Sequence, residues 1–77
     1  MTYNDFEKHL YKSLFEKFAN EEYHVEYSRS TYPDDFEQLR AALRHLSDGG
    51  IIFLLADEDD ELCAELTPGY CFKFVEI

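Results

Sequence analysis

The sequence predicts a small α+β domain in which two amphipathic helices pack on an antiparallel sheet. Three observations lead to this fold class: two stretches with apolar residues every three or four positions, a glycine pair that closes the second stretch, and short apolar or alternating runs after that pair. Seventy-seven residues suit a single domain, residues 1–77. Hydrophobic residues make up 45% of the chain, with seven Phe and six Tyr, so enough large side chains are present to form a core.

The first helix is predicted over residues 3–19. Asn4 and Glu7 have the spacing of a capping box, and Thr2 and Asp5 have the same spacing, so two starting points are open. One stripe of apolar residues repeats at helical intervals and is interpreted as core: Tyr3, Phe6, Leu10, Leu14 and Phe18, with Phe15 beside it.

Residues 22–30 connect the two predicted helices. Tyr23, Val25 and Tyr27 alternate with polar residues, which is typical of a strand. A small helix is the alternative for this interval. We favour the strand.

The second helix is predicted to begin around Pro33, because proline suits the first turn of a helix. Asp34 and Asp35 would complement the positive end of its dipole. The glycine pair after Asp48 ends it, since glycine readily adopts the left-handed cap conformation. The expected core stripe consists of Phe36, Leu39, Leu43 and Leu46, with Ala42 beside it.

The remaining residues predict a sheet of three or four strands. Ile51–Ala56 is apolar throughout, so we expect a strand covered on both faces. The five acids of Asp57–Glu61 form a solvated turn, and Leu62–Leu66 alternates as a half-exposed strand does. After a turn at residues 67–69, Tyr70–Val75 alternates again and is predicted to be a final strand.

The negative charge is concentrated in the middle of the chain. The formal net charge is −10, of which residues 31–61 carry −7. Such a field repels phosphate and anionic lipid and attracts basic protein surfaces. The alternative is that the acids only keep an aromatic-rich protein soluble.

We therefore expect an acidic surface that binds a basic surface of another protein, such as a nucleic-acid-binding protein. The candidate binding residues are Asp34, Asp35, Glu37, Asp57, Glu58, Asp59, Asp60 and Glu61. Direct binding of nucleic acid is disfavoured, because each of these acids opposes a phosphate. The rival hypothesis is a transcriptional regulator that uses Arg29, Arg40 and Arg44 on a locally basic face.

Residues for catalysis, metals and cofactors are not evident. The serines lack an elbow motif and there is no glycine-rich phosphate loop, so we predict no enzymatic activity and no cofactor. His9, His24 and His45 lie one to an element without metal-ligand spacing. Cys63 and Cys71 could face each other across the last hairpin, but we expect reduced thiols. The absence of an apolar leader and of a long apolar run predicts a cytoplasmic protein.

The order helix, short element, helix, glycine, strand, turn, strand resembles small phage and prophage winged-helix proteins, and the YjcQ-like family in particular. The matching residues are Phe36, Ala41 or Ala42, Leu43, Leu46, Gly50, Ile51, Ile52, Leu66, Thr67 and Gly69. The resemblance implies a winged-helix fold and no catalytic residues. This chain differs from the family in lacking an evident middle helix of a helix-turn-helix and in ending eight residues after Gly69, and both differences weigh against DNA binding.

Small acidic phage proteins that occupy the DNA-binding channels of nucleases are similar to this chain in size and charge. By that analogy we expect a phage-encoded inhibitor that mimics DNA. A homodimer is also expected, because an edge strand at residues 70–77 could pair with a second copy. Aromatic residues left at the surface would favour it as well, namely Tyr23, Tyr27, Tyr32 or Tyr70.

Overall fold

The computed structural model describes residues 2–66 and Ile77, which form two helices and three strands. In chain order these are α1 (Asp5–Ala19), β1 (Val25–Ser28), α2 (Phe36–Asp48), β2 (Ile52–Asp57) and β3 (Glu61–Leu66). The strands form one antiparallel sheet in the order β1-β3-β2, and both helices pack on it. The predicted α+β class is confirmed. The predicted turn at 67–69 and strand at Tyr70–Val75 lie outside the residues described.

Helix α1 begins at the first of the two predicted capping boxes. The side chain of Asn4 accepts a hydrogen bond from the Glu7 N–H at 2.8 Å, and Glu7 Oε1 accepts one from the Asn4 N–H at 2.8 Å. Two backbone donors at the open end of the helix are thereby satisfied. Local sequence therefore determines this boundary, and the alternative box at Thr2 and Asp5 is not used.

Helix α2 begins at Phe36, so the predicted start at Pro33 is wrong by about one turn. The preceding chain folds back first: the N–H groups of Thr31 and Tyr32 both donate to the Ser28 carbonyl. The first helical hydrogen bond runs from the Leu39 N–H to the Asp35 carbonyl at 2.8 Å.

The glycine pair ends α2 as predicted. Gly50 has φ +76°, in the left-handed region, while Gly49 remains right-handed with φ −81°. The Gly50 N–H donates to the Ser47 carbonyl and the Ile51 N–H to the Leu46 carbonyl, each at 3.0 Å. This is a Schellman cap, and it sends the chain directly from α2 into the sheet.

The core contains the apolar stripes of both helices and the inward residues of all three strands. Leu14, Leu39 and Leu43 are 2%, 5% and 0% exposed, as the stripes predict, and Phe6 is partly buried against them. Fully buried large side chains also include Tyr11, Phe36, Leu46, Ile52 and Leu62. Tyr11 lies outside the stripe predicted for α1, of which Phe15 and Phe18 are only partly buried. Neither helix in the described part of the chain is long and apolar enough to cross a membrane.

Strand β1 confirms the extended alternative for residues 22–30. Val25 and Tyr27 face the core, and Tyr27 is only 5% exposed, so the expectation that Tyr27 lies on the surface is wrong. Tyr23 lies before the strand and is exposed, as is Tyr32. Strand β1 pairs with β3, which places Val25 opposite Ala64 and Tyr27 opposite Leu62.

Strand β2 is covered on one face only, so the prediction of a strand buried on both sides is wrong. Ile52 is buried, Phe53 and Leu55 are exposed, and Leu54 lies between these extremes. An apolar run without alternation does not show whether a second layer covers its outer face. In the described structure the helices cover one face of the sheet, and this leaves two large apolar side chains of β2 in solvent.

Candidate protein-binding surface

A β-bulge sets the geometry at the acidic end of the sheet. Along β2 and β3 the pairs run Phe53 with Glu65 and Leu54 with Ala64, but then Ala56 with Cys63. Leu55 is therefore an extra residue in β2, and the register shifts by one position. Because side chains alternate between faces, a shift of one residue moves every later side chain to the opposite face.

The bulge brings Asp57 to the helix side of the sheet. After the shift, Asp57 pairs with Leu62, whose side chain is fully buried in the core. Without the shift Asp57 would pair with Glu61, among the outward side chains. The shift thus separates one carboxylate from its acidic neighbours and directs it toward α2.

Two arginines of α2, one turn apart, bind that carboxylate. Arg40 Nε lies 3.0 Å from Asp57 Oδ1, and Arg44 Nε lies 2.6 Å from Asp57 Oδ2. The hydrogen bond from Arg44 is the largest cause that lowers the pKa of Asp57 below its usual value; burial opposes it, and the charge of Arg44 with the hydrogen bond and charge of Arg40 lowers the pKa further. Asp57 therefore remains ionised and connects the end of β2 to α2.

Glu37 lies between two guanidinium groups. Its Oε2 is 2.7 Å from Arg29 Nη2, and its Oε1 is 2.6 Å from Arg40 Nη1. These hydrogen bonds, with that from Arg29 the stronger, hold the pKa of Glu37 below its usual value. The two guanidinium carbons also lie 4.6 and 5.2 Å from the centre of the Phe36 ring, close enough for cation–π attraction.

The same arginines hold the backbone of the turn between β2 and β3. Arg29 donates to the Asp59 carbonyl from Nε at 3.1 Å and from Nη2 at 2.7 Å, and Arg40 Nη2 donates to the carbonyls of Glu58 and Asp59. The turn is closed by the Glu58 N–H, which donates to the Glu61 carbonyl at 2.9 Å. We call Asp57–Glu61 the acidic hairpin, and Arg29, Arg40 and Arg44 the arginine clamp.

The clamp leaves most of the predicted binding residues without a positive partner. Glu37, Asp57 and Asp60 form ion pairs with it, and the pair from Arg29 Nε to Asp60 Oδ1 measures 3.2 Å. The other five predicted residues form no ion pair within the described part of the chain and are exposed: Asp34, Asp35, Glu58, Asp59 and Glu61. Eight acids against three arginines leave this surface with a formal charge of −5.

The structure brings Glu37 to the acidic hairpin through the arginines that both share. No hydrogen bond or ion pair joins Asp34 or Asp35 to that hairpin. They lie in the turn before α2, where Asp35 is the N-cap residue without a side-chain capping bond. The predicted site therefore consists of a clamped group around the hairpin and two separate acids preceding Phe36.

The sequence interpretation did not assign the arginines to the acidic surface. Only the rival hypothesis of a regulator used them, on a locally basic face, whereas they lie among carboxylates and donate to them. The spacing of Glu37, Arg40 and Arg44 by three and four residues indicates that they share one helix face. Nothing in the sequence indicates that Arg29, thirty residues before Asp59, lies beside the turn.

The histidines and Cys63 lie outside this surface. His24 Nδ1 is 3.2 Å from Glu65 Oε2, and His45 Nδ1 is 2.6 Å from Glu7 Oε2. Within residues 2–66 and 77, no group of three or more His, Cys, Asp and Glu side chains is arranged to hold a metal ion. Cys63 is a free thiol whose pKa is raised by burial and by the neighbouring Glu26 and Glu65, and Cys71 lies outside the described residues.

Comparison of the chain with protein-family models, with curated protein sequences and with solved structures gives no match.

Proposed function

We propose that this protein is a non-enzymatic module that binds a basic surface of another protein. The acidic hairpin is its main contact, with Asp34, Asp35 and Glu37 beside it. The observation that carries the proposal is the use of the arginine clamp: its donors hold the carbonyls of Glu58 and Asp59, while the carboxylates of these two residues have no positive partner among the described residues.

Because the arginine clamp binds the backbone of the turn, the acidic residues are held in fixed positions. A run of five acids repels itself, and in a free loop each side chain would lose conformational freedom on binding. The clamp pairs with Asp57 and Asp60 of the hairpin, and it leaves Glu58, Asp59 and Glu61 without a positive partner among the described residues. A partner with complementary positive charge would be steered to such a surface at a rate that falls with added salt.

The chemistry of the surface favours a nucleic-acid-binding protein as the partner. Such proteins present lysine and arginine side chains in the spacing of a phosphate backbone. Carboxylates held in fixed positions on a surface of charge −5 offer similar electrostatic features. A phage-encoded inhibitor that blocks a host protein in this way is the biological role we propose.

We also propose that the fold is winged-helix-like, with the β2–β3 hairpin as the wing. Support comes from the element order α1, β1, α2, β2, β3 and from the position of β3 between β1 and β2. Residues 29–35 form turns instead of the additional helix of a helix-turn-helix. The proposed wing therefore serves protein binding and not DNA binding.

The rival role as a DNA-binding regulator requires Arg29, Arg40 and Arg44 to reach phosphates or bases. Arg29 and Arg40 already donate to carboxylates and carbonyls within the protein, Arg44 Nε donates to Asp57, and the Arg40 side chain is only 13% exposed. Freeing them would leave Glu37 and Asp57 unpaired close to the DNA. Both effects oppose binding.

The test is affinity capture from host lysate, paired with a DNA gel-shift assay at low salt. The informative variant is Glu58→Gln with Asp59→Asn, which removes two charges without disturbing the clamp. A matched control, Glu16→Gln with Glu22→Gln, removes two exposed charges on α1 and in the loop after it. We expect the control variant to retain a basic partner and the hairpin variant to lose it. Added salt should release this partner from the unmodified protein. Equal retention by both variants, or a shift of DNA by the unmodified protein, would disprove the proposal.

A further inference from the structure

Strand β2 departs from the pattern that its neighbours follow on the outer face of the sheet. The outward residues of β1 and β3 include Glu26, Glu61 and Glu65, as expected for strands with one face in water. On β2 the corresponding positions carry Phe53 and Leu55, which are 47% and 49% exposed. Two large apolar side chains thus lie on the face where β1 and β3 carry three carboxylates.

The two side chains belong to one continuous outer surface. Phe53 pairs with Glu65, and Ala56 pairs with Cys63, the half-buried outward residue of β3. Leu55 is the bulge residue between them. The apolar strip formed by Phe53, Leu55 and Cys63 therefore runs along β2, includes the adjacent position of β3, and ends where the acidic hairpin begins.

The borders of this strip are negatively charged. Glu26 of β1 pairs with Cys63, and Glu65 of β3 pairs with Phe53. Both carboxylates are near enough to Cys63 to contribute to its raised pKa, after the larger effect of burial. At one end the strip meets Glu58 and Asp59, which have no positive partner among the described residues. An apolar strip with acidic borders is complementary to a helix that has an apolar stripe between basic residues.

We infer that the outer face of β2 and the acidic hairpin form one binding surface for a basic amphipathic helix of a partner protein. This inference rests on the proposed function and adds the chemistry of the partner segment. Apolar side chains of the helix cover Phe53 and Leu55, and its lysines and arginines face the carboxylates. A helix suits the site because an amphipathic helix presents one apolar stripe with charged residues beside it, which matches a narrow apolar strip with acidic borders.

A second copy of the chain is a poorer occupant of the same surface. Each copy carries a net charge of −10 and presents the same acids around the strip. Pairing two such faces would bring like charges together at the position where the apolar side chains meet. Charge thus distinguishes a basic partner from a homodimer.

The test compares two synthetic peptides of equal length and equal lysine content. One has leucines at helical spacing to form an apolar stripe, and the other has serine at those positions. Dissociation constants are measured for the unmodified protein, for Phe53→Ser with Leu55→Ser, and for the control Tyr23→Ser, which alters another exposed aromatic residue. Circular dichroism establishes that each variant is folded, and amide exchange of the unmodified protein locates the bound leucine peptide.

We expect the unmodified protein and the Tyr23→Ser control to bind the leucine peptide at least about tenfold more tightly than the serine peptide. The double variant should bind both peptides with the affinity of the serine peptide, and exchange should slow along β2. The unmodified protein could instead bind both peptides equally, with weaker binding in the variant Glu58→Gln with Asp59→Asn. That result would refute the apolar contact and leave the proposed function intact. Binding of neither peptide would count against both proposals. Sedimentation showing a dimer that the double variant loses would make a second copy the occupant and overturn the inference.

Discussion

His45 and Glu7 join the C-terminal end of α2 to the N-terminal end of α1. The distance from His45 Nδ1 to Glu7 Oε2 is 2.6 Å, and the Glu7 side chain is 7% exposed. The other carboxylate oxygen of Glu7 caps α1, and the Tyr3 ring lies 4.8 Å from the His45 ring between centroids. One buried carboxylate thus serves both as a helix cap and as a contact between the helices.

This carboxylate predicts a pH-dependent contribution to stability. Burial alone would raise the pKa of Glu7, but the Asn4 N–H, followed by the hydrogen bond and charge of His45, together hold it below the ordinary value of 4.5. Because the folded-state pKa is the lower one, the stabilisation is present above pH 4.5 and is lost as pH falls through the folded-state pKa. Glu7→Gln keeps a capping side chain and loses the charge, so we expect a loss of about 1–3 kcal/mol at neutral pH.

Urea unfolding of the two proteins across a pH series measures this effect. The difference in unfolding free energy should be largest near neutral pH and should disappear in acid. Glu7→Ala, which also removes the cap, should lose further stability at every pH. A difference between the unmodified protein and Glu7→Gln that is the same at all pH values would show that the carboxylate charge does not contribute.

Leu43 provides a test of the core. Its side chain is 0% exposed between the two helices and the sheet, so Leu43→Ala should cost about 2–5 kcal/mol through lost burial and a residual cavity. Leu55→Ala makes the same chemical change at a side chain that is 49% exposed, and should cost far less. Denaturant unfolding checks the pair, and comparable losses at the two positions would contradict the packing described.

Arg40 provides a test of whether the arginine clamp holds the turn between β2 and β3 in place. Its planar guanidinium contacts Glu37, Asp57, two turn carbonyls and the Phe36 ring, and a lysine ammonium cannot reproduce that set. Arg40→Lys should therefore accelerate amide exchange at Glu58, whose N–H closes the turn, and weaken capture of a basic partner. Arg44→Lys is the matched control: Arg44 is 59% exposed and, among the described residues, binds Asp57 alone, so exchange at Glu58 should change little. Equal effects of the two substitutions would argue against a clamp centred on Arg40.

The helix boundaries show which features depend on near neighbours. The capping box of Asn4 and Glu7 and the left-handed cap at Gly50 each involve residues within one or two turns, so the sequence is sufficient to predict them. The start of α2 was predicted too early because the turn that excludes Pro33 depends on Ser28, several residues away. Its two hydrogen bonds leave no periodic signal in the sequence.

The sequence by itself determined the α+β class, the order of the five described elements, the stripes that form the core and the excess of acid in the middle of the chain. These follow from periodicity, capping and composition, which act over a few residues. Only the tertiary structure decided how the acids are used. A one-residue bulge at Leu55 turns Asp57 toward α2, and a contact across thirty residues brings Arg29 to Asp59. Register and long-range ion pairs depend on how strands and helices meet in space, and a shift of one residue reverses the face of a side chain without changing the hydrophobic pattern.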